Sequence, residues 1–197
     1  RELTLNLPQI FLGQPLPCIS LRELPSNIIG FWGLFEIRLQ VSTLQNNQEL
    51  HIPLIRRGYV SVFLNEEGKL FLPTARHIWD ALQTAEPMVL DTLDFDQSIL
   101  AYKQLQQAGE QAGLALFETM QQAHLDSIAR EEERGFTAFN SKRKTIERIG
   151  LPEVRQYRLE KCNVNETEWR NALKNAQQSI PEIRPLLLAR ILNEASQ

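Results

Sequence analysis

Two cysteines, three histidines and nine glycines in 197 residues leave little material for several kinds of chemistry. Cys18 and Cys162 lie far apart with no companion at ligand spacing. That argues against a disulfide framework and a cysteine-built metal site, and it fits a reducing, cytoplasmic compartment. His51, His77 and His124 are equally scattered, and none has a carboxylate or cysteine at metal-ligand spacing. The one Gly-Lys pair, Gly68-Lys69, has Phe63 where a phosphate-cradling loop needs its first glycine. Leu70 stands where that loop needs a hydroxyl. No G-x-S-x-G nucleophile elbow occurs. Asp91, Asp94 and Asp96 form an acidic run without the glycine and closing glutamate of a calcium loop, and a cryptic hydrolase would have to rely on them. No apolar run approaches the ~18 residues of a membrane span, and no signal-peptide pattern opens the chain. The expectation is a chain with no catalytic residue, no cofactor, no metal and no membrane contact. Arg1 is followed at once by a strand-like apolar segment, as expected of a piece of a longer polypeptide.

What is present divides into two textures. Residues 1–96 read as β-rich. Phe35, Ile37, Leu39 and Val41 alternate with Glu36, Arg38 and Gln40, the period of a half-buried strand. His51–Ile55 predicts a second strand, placed at an edge by Pro53. Tyr59–Leu64, the turn Asn65–Gly68 and Lys69–Leu72 predict a hairpin. Pro73-Thr74 predict a short helix with Thr74 as N-cap and Ile78, Trp79 and Leu82 on its apolar side, ending at Pro87. The fold class expected is α+β: a small antiparallel sheet base with one covering helix, and a long antiparallel helical hairpin.

That hairpin occupies 97–180, where Pro152 is the only proline before Gln178 and strong helix formers dominate. Tyr102, Leu105, Ala112, Leu116, Met120 and Ala123 form a narrow coiled-coil-like stripe. Val154, Tyr157, Val164, Trp169, Ala172 and Ala176 form a second. The chain can turn back at Gly135 or at Gly150-Leu151-Pro152. A turn at Gly135 matches arms of roughly 55 and 65 Å and sets Val154 by Leu116, Tyr157 by Ala112 and Trp169 by Tyr102, large side chains opposite small. The expected tip is therefore near Gly135, with a kink near Pro152. Residues 181–197 are expected to return to the base. Within them 186–191 reads as a strand or a terminal helix, the strand being favoured.

The succession AFNSKRKTIERIGLPEVRQYRLEK, EWRNAL and IPEIRPLLLARI, with the earlier VFLNEEGKLFLPTARHIWDAL, resembles the C-terminal accessory region of bacterial Snf-type (Swi/Snf, RapA-like) helicase-like ATPases. The likeness extends over residues 20–192 and includes no motor motif. It implies a parent with two upstream RecA-like lobes that bind ATP and Mg, hydrolyse ATP and move on duplex nucleic acid. For this segment it implies a non-catalytic module that positions the motor on its track or on a protein partner, such as a polymerase or a defence-system subunit. The alternative is a self-standing scaffold whose hairpin binds a protein or dimerises.

Net charge is −3, so any pull on nucleic acid must be local. Residues 142–161 carry seven basic and three acidic side chains, while 86–126 carry seven acidic and one basic. The basic residues Lys142, Arg143, Lys144, Arg148, Arg155, Arg158 and Lys161 are the candidate nucleic-acid or partner contacts. With a tip at Gly135, Lys144 falls beside Asp126 and Lys142 and Arg143 lie near Glu131–Glu133, so the leading expectation is a charge-complementary hairpin. Phosphate contact and a protein-partner surface are the competing ones. Arg148, Arg155, Arg158 and Lys161 are the cations the acidic run leaves uncovered. Trp32, Trp79 and Trp169 are expected in the core.

Overall fold

β-Branched and aromatic side chains cluster at 29–41 and 55–65, and both stretches are strands in the computed structural model, which describes residues 14–25, 27–41 and 50–192. The strand-like opening at 1–13 and the end of the return segment at 193–197 lie outside the described residues. In chain order the elements are β1 (Pro17–Ser20), β2 (Ile29–Val41), β3 (Ile55–Asn65), α1 (Leu72–Thr84), β4 (Met88–Thr92), α2 (Phe95–Glu147), α3 (Pro152–Ala176) and β5 (Ser179–Leu192). They build the α+β architecture expected, with a five-stranded sheet in the order β3-β2-β5-β1-β4. β1 pairs antiparallel with β4 and parallel with β5. The return segment is thus a strand, seated inside the sheet between β2 and β1.

The chain divides into two compact units. A sheet unit contains the described residues of 1–38, 57–116 and 183–197, and a hairpin unit contains those of 39–56 and 117–182. In the sheet unit β2 is covered on both faces, because alternate side chains find different partners. Trp32 and Leu34 join Ala75, Ile78 and Leu82 of α1, while Phe35 joins Leu105 and Ala108 of α2. Trp32 is fully buried, donates from Nε1 to the Ala75 carbonyl at 3.0 Å and stacks on Trp79 at 6.2 Å between ring centroids. Two-sided burial explains why Glu36 is buried although the alternation assigned it to solvent. Its carboxylate meets Arg38 at 3.3 Å and Arg57 at 3.5 Å.

The turn after β3 forms as expected. Gly68 takes φ +75°, donates to the Asn65 carbonyl at 2.9 Å, and its left-handed backbone is one that glycine adopts without penalty. Two local expectations are corrected. Strand β3 begins at Ile55, so His51–Leu54 is not a strand. Helix α1 begins at Leu72 with Phe71 as an uncapped N-cap, since Pro73 at the first turn already supplies helical φ without needing Thr74 as cap. Asp94 of the acidic run accepts from the Gln97 amide at 2.9 Å, capping the start of α2.

The main correction concerns the hairpin. Helix α2 runs unbroken through Gly135 to Glu147, and the chain reverses between Arg148 and Leu151. Pro152 starts α3 and does not kink an existing arm, because its ring fits the first helical position and drives Leu151 into extended backbone. The stripe at 102–116, which seemed to need a helical partner, has the sheet instead: Leu105 and Ala108 are buried with Phe35 and Val62, and Tyr102 and Ala112 pack at the margin. A Cβ on Gly109 would come within 3.0 Å of the Phe35 ring, so α2 lies close on the sheet there.

In the hairpin unit, Met120, His124, Ile128 and Ile146 of α2 are buried, as are Cys162, Trp169, Ala172, Leu173 and Ala176 of α3. Gly135 has an ordinary helical backbone. Its role is spatial: any Cβ there would overlap the Trp169 indole, and Phe139 packs on the same ring at 5.5 Å.

Two outcomes are expected. Gly135→Ala gains about 1 kcal/mol of helix propensity but overpacks a full interface, which costs about 1–3 kcal/mol. Chemical denaturation should therefore show a net loss of stability, and the loss should shrink in a Trp169→Phe background. Burial pushes the Cys18 thiol above its usual value, with Arg190 partly opposing. The raised value favours the neutral thiol in the folded state, so its contribution to stability holds at neutral pH and is lost as pH rises through the alkaline thiol range. Cys18 and Cys162 are both buried, so a thiol reagent at neutral pH should label them only as the chain unfolds.

Candidate nucleic-acid interface

The position of the turn decides what surrounds the basic residues. Reversal at 148–151 folds residues 142–161 back on themselves, so the end of α2 and the start of α3 form one tip. The pairing of Lys144 with Asp126 expected from a tip at Gly135 does not occur. Asp126 lies 18 residues back along the same helix, about 27 Å away at 1.5 Å per residue. Glu131–Glu133 are likewise at a distance from Lys142. The charge that an acidic partner arm was expected to neutralise is gathered at the tip.

One of the seven candidates is withdrawn. Arg143 reaches the buried carboxylate of Glu166 on α3, and Arg170 holds the other oxygen at 2.9 Å. Asn140 and Asn163 accept further hydrogen bonds from Arg143 at 3.4 and 3.3 Å. This network joins the two helices and belongs to the hairpin's interior. Lys142, Lys144, Arg148, Arg158 and Lys161 are exposed, and Arg155 is half-buried. None of these six forms an ion pair among the described residues.

The tip also carries apolar and aromatic surface that the earlier register would have hidden. Val154, Tyr157 and Val164, expected as an inner seam, face outward at 39%, 64% and 56% exposure, beside Leu151 at 67%. Trp169, Ala172 and Ala176 are the members of that stripe that are buried. Phe136, farther back on α2, is exposed as well. The three tryptophans are covered as expected, with Trp79 partly so.

A further pattern went unnoticed in the sequence. On α2, Arg130, Arg134 and Lys144 fall on one face at the 3.6-residue period, with Thr137 and Ser141 between them, and Arg148 follows at the turn. The row on the helix spans about 21 Å; within it Arg134 is paired with Glu131 and Thr137 donates to the Glu133 carbonyl, while Arg130 and Lys144 have no carboxylate partner among the described residues. Its signal was available as spacing, but it was obscured by a break placed at Gly135.

Among the described residues no group of three or more His, Cys, Asp or Glu side chains could hold a metal, and no helix is long and apolar enough to cross a membrane.

Removing Glu166 leaves Arg143 facing the interior uncompensated. Glu166→Ala is expected to cost about 2 kcal/mol, below the ~3–5 kcal/mol of fully buried pairs because Arg143 is 31% exposed. A thermal melt checks this, and Arg143→Ala should recover part of the loss in the double variant.

Comparison with known protein families finds no family model that matches the chain, and no curated protein matches it.

Proposed function

We propose that the hairpin unit is a phosphate-contacting arm, and that the chain is a non-catalytic accessory domain which positions a Snf-type, ATP-driven motor on duplex nucleic acid. The observation that carries the reading is the turn at 148–151. It gathers Lys142, Lys144, Arg148, Arg155, Arg158 and Lys161 at one end of a long hairpin, away from the acidic residues that would have neutralised them. Flexible cations without carboxylate partners bind a phosphate backbone without base preference, and each contact releases condensed counterions. Tyr157, next to Arg158 in the chain and one turn before Lys161 on α3, adds an exposed hydroxyl and an aromatic face. The motor partner comes from the resemblance to Snf-type ATPases, in which ATP and Mg belong to the upstream lobes of the parent.

A second reading is favoured by the exposed Leu151, Val154, Tyr157 and Val164, whose apolar area fits a protein partner or a second copy of the chain. A mass that rises with concentration in analytical ultracentrifugation supports self-association, and a constant monomer mass removes it.

Duplex DNA binding across a salt series tests the phosphate arm. The triple variant Arg148→Gln/Arg155→Gln/Arg158→Gln should weaken binding about equally for unrelated sequences. It should also flatten the slope of log K against log salt by about 2–3. Unchanged affinity and slope would overturn the reading.

A further inference from the structure

The hairpin unit contains an open cleft of about 490 Å³, lined by His51, Arg56, Ser127, Arg130, Glu131 and Arg134. It is separate from the tip, lying at the opposite end of the basic row on α2. Two guanidinium groups converge there on one hydroxyl. Nη2 of Arg56, at the start of β3, donates to Ser127 Oγ at 2.7 Å and to the Ala123 carbonyl at 3.0 Å, and Nη2 of Arg130 donates to the same Ser127 oxygen at 3.2 Å. Ser127 in turn donates to the Ala123 carbonyl at 2.8 Å, which uses its proton and leaves both lone pairs engaged.

A serine hydroxyl satisfies hydrogen bonds but carries no charge. Sharing it holds the two guanidinium groups within about 6 Å of each other, where like charges oppose one another unless an anion stands beside them. The cleft's own acid does not serve. Glu131 is taken by Arg134 at 2.5 Å and faces His51 Nδ1 at 3.8 Å. Asp126, one turn earlier on α2, accepts from Gln122 at 2.9 Å. Neither Arg56 nor Arg130 forms an ion pair among the described residues, and Nε of Arg56 is buried with no hydrogen-bond partner. Three arginines against one carboxylate leave the cleft with two unanswered positive charges and unused donors.

We propose that this cleft binds a phosphate-class oxyanion, held between the Arg56 and Arg130 guanidinium groups. A single carboxylate is planar and is served by one guanidinium fork. Two guanidinium groups approaching from different elements suit a tetrahedral oxyanion, whose oxygens point in more than one direction. Ser127 and the Ala123 carbonyl fix the Arg56 group, and Ser127 the Arg130 group, before the ligand arrives, so little side-chain freedom is lost on binding. The ligand chemistry is shared by a free phosphate or pyrophosphate and by a phosphate of nucleic acid lying along the α2 row.

Pyrophosphate is the probe. Added to the intact chain against chloride of equal ionic strength, it should raise the thermal midpoint, and titration calorimetry should give a single site. Arg130→Gln should weaken that site by about tenfold or more, since charge-assisted hydrogen bonds are lost. The tip variant Arg148→Gln/Arg155→Gln/Arg158→Gln should leave it unchanged, so the cleft and the tip stand or fall separately. Should Arg130→Gln not fold, Arg130→Lys keeps the charge, loses the fork, and should still weaken binding several-fold. Competition by duplex DNA assigns the phosphate to nucleic acid, and independence from DNA assigns it to a free phosphate; both outcomes retain the oxyanion site. No stabilisation beyond that of chloride, equal binding by both Arg130 variants, or loss of binding in the tip variant would overturn it.

Discussion

The contact between Gly135 and the indole of Trp169 sets the register on which the hairpin's surface depends. Where a helix has no Cβ, its neighbour can bring a large ring close to the backbone, and that pairing admits few sliding alternatives. Once Trp169 stands opposite Gly135, Arg143 meets Glu166, His124 Nε2 reaches the Ala176 carbonyl at 2.8 Å, and the reversal falls at 148–151. Which charges are exposed at the tip follows from this register.

Helix α2 illustrates how one continuous element can serve two cores. Its first part buries Ala101, Leu105 and Ala108 against strands of the sheet unit, and its later part buries His124, Ile128 and Ile146 in the hairpin unit. The apolar stripe was legible in the sequence, but its partner was not. A sheet and a second helix ask the same thing of a helix, a narrow apolar face. Assigning the whole stripe to a helical partner forced the turn back to Gly135. Large-opposite-small pairing then supplied a plausible but false register. The Gly-Leu-Pro signal at 150–152 was the stronger local indication, because it joins a helix-ending glycine to a helix-starting Pro152, whereas Gly135 has no such proline after it.

Features encoded by short-range chemistry were readable: the alternation in β2, the Asn65–Gly68 turn, the apolar side of α1, and a favoured strand at 186–191, which in the fold extends over 179–192. The half-buried reading of β2 fell short because coverage of its second face by α1 is a tertiary fact. The candidate cations were found as a composition bias, yet their environment was not, since it depends on the turn. Arg143 is indistinguishable in sequence from Lys142 and Lys144, and only the fold pairs it with Glu166. The Arg56–Ser127–Arg130 arrangement had no local signal, because Arg56 lies 71 residues before Ser127 in the chain.

The central claim is that the chain reverses at 148–151 and so gathers its cations at a free tip. A distance between spin labels placed at Asp126 and Lys144 tests this most directly, because the two exposed positions differ most between the alternatives. One unbroken helix gives a backbone separation of about 27 Å between them. A reversal at Gly135 would set them side by side, at the ~8–10 Å of packed helices, and would contradict the account.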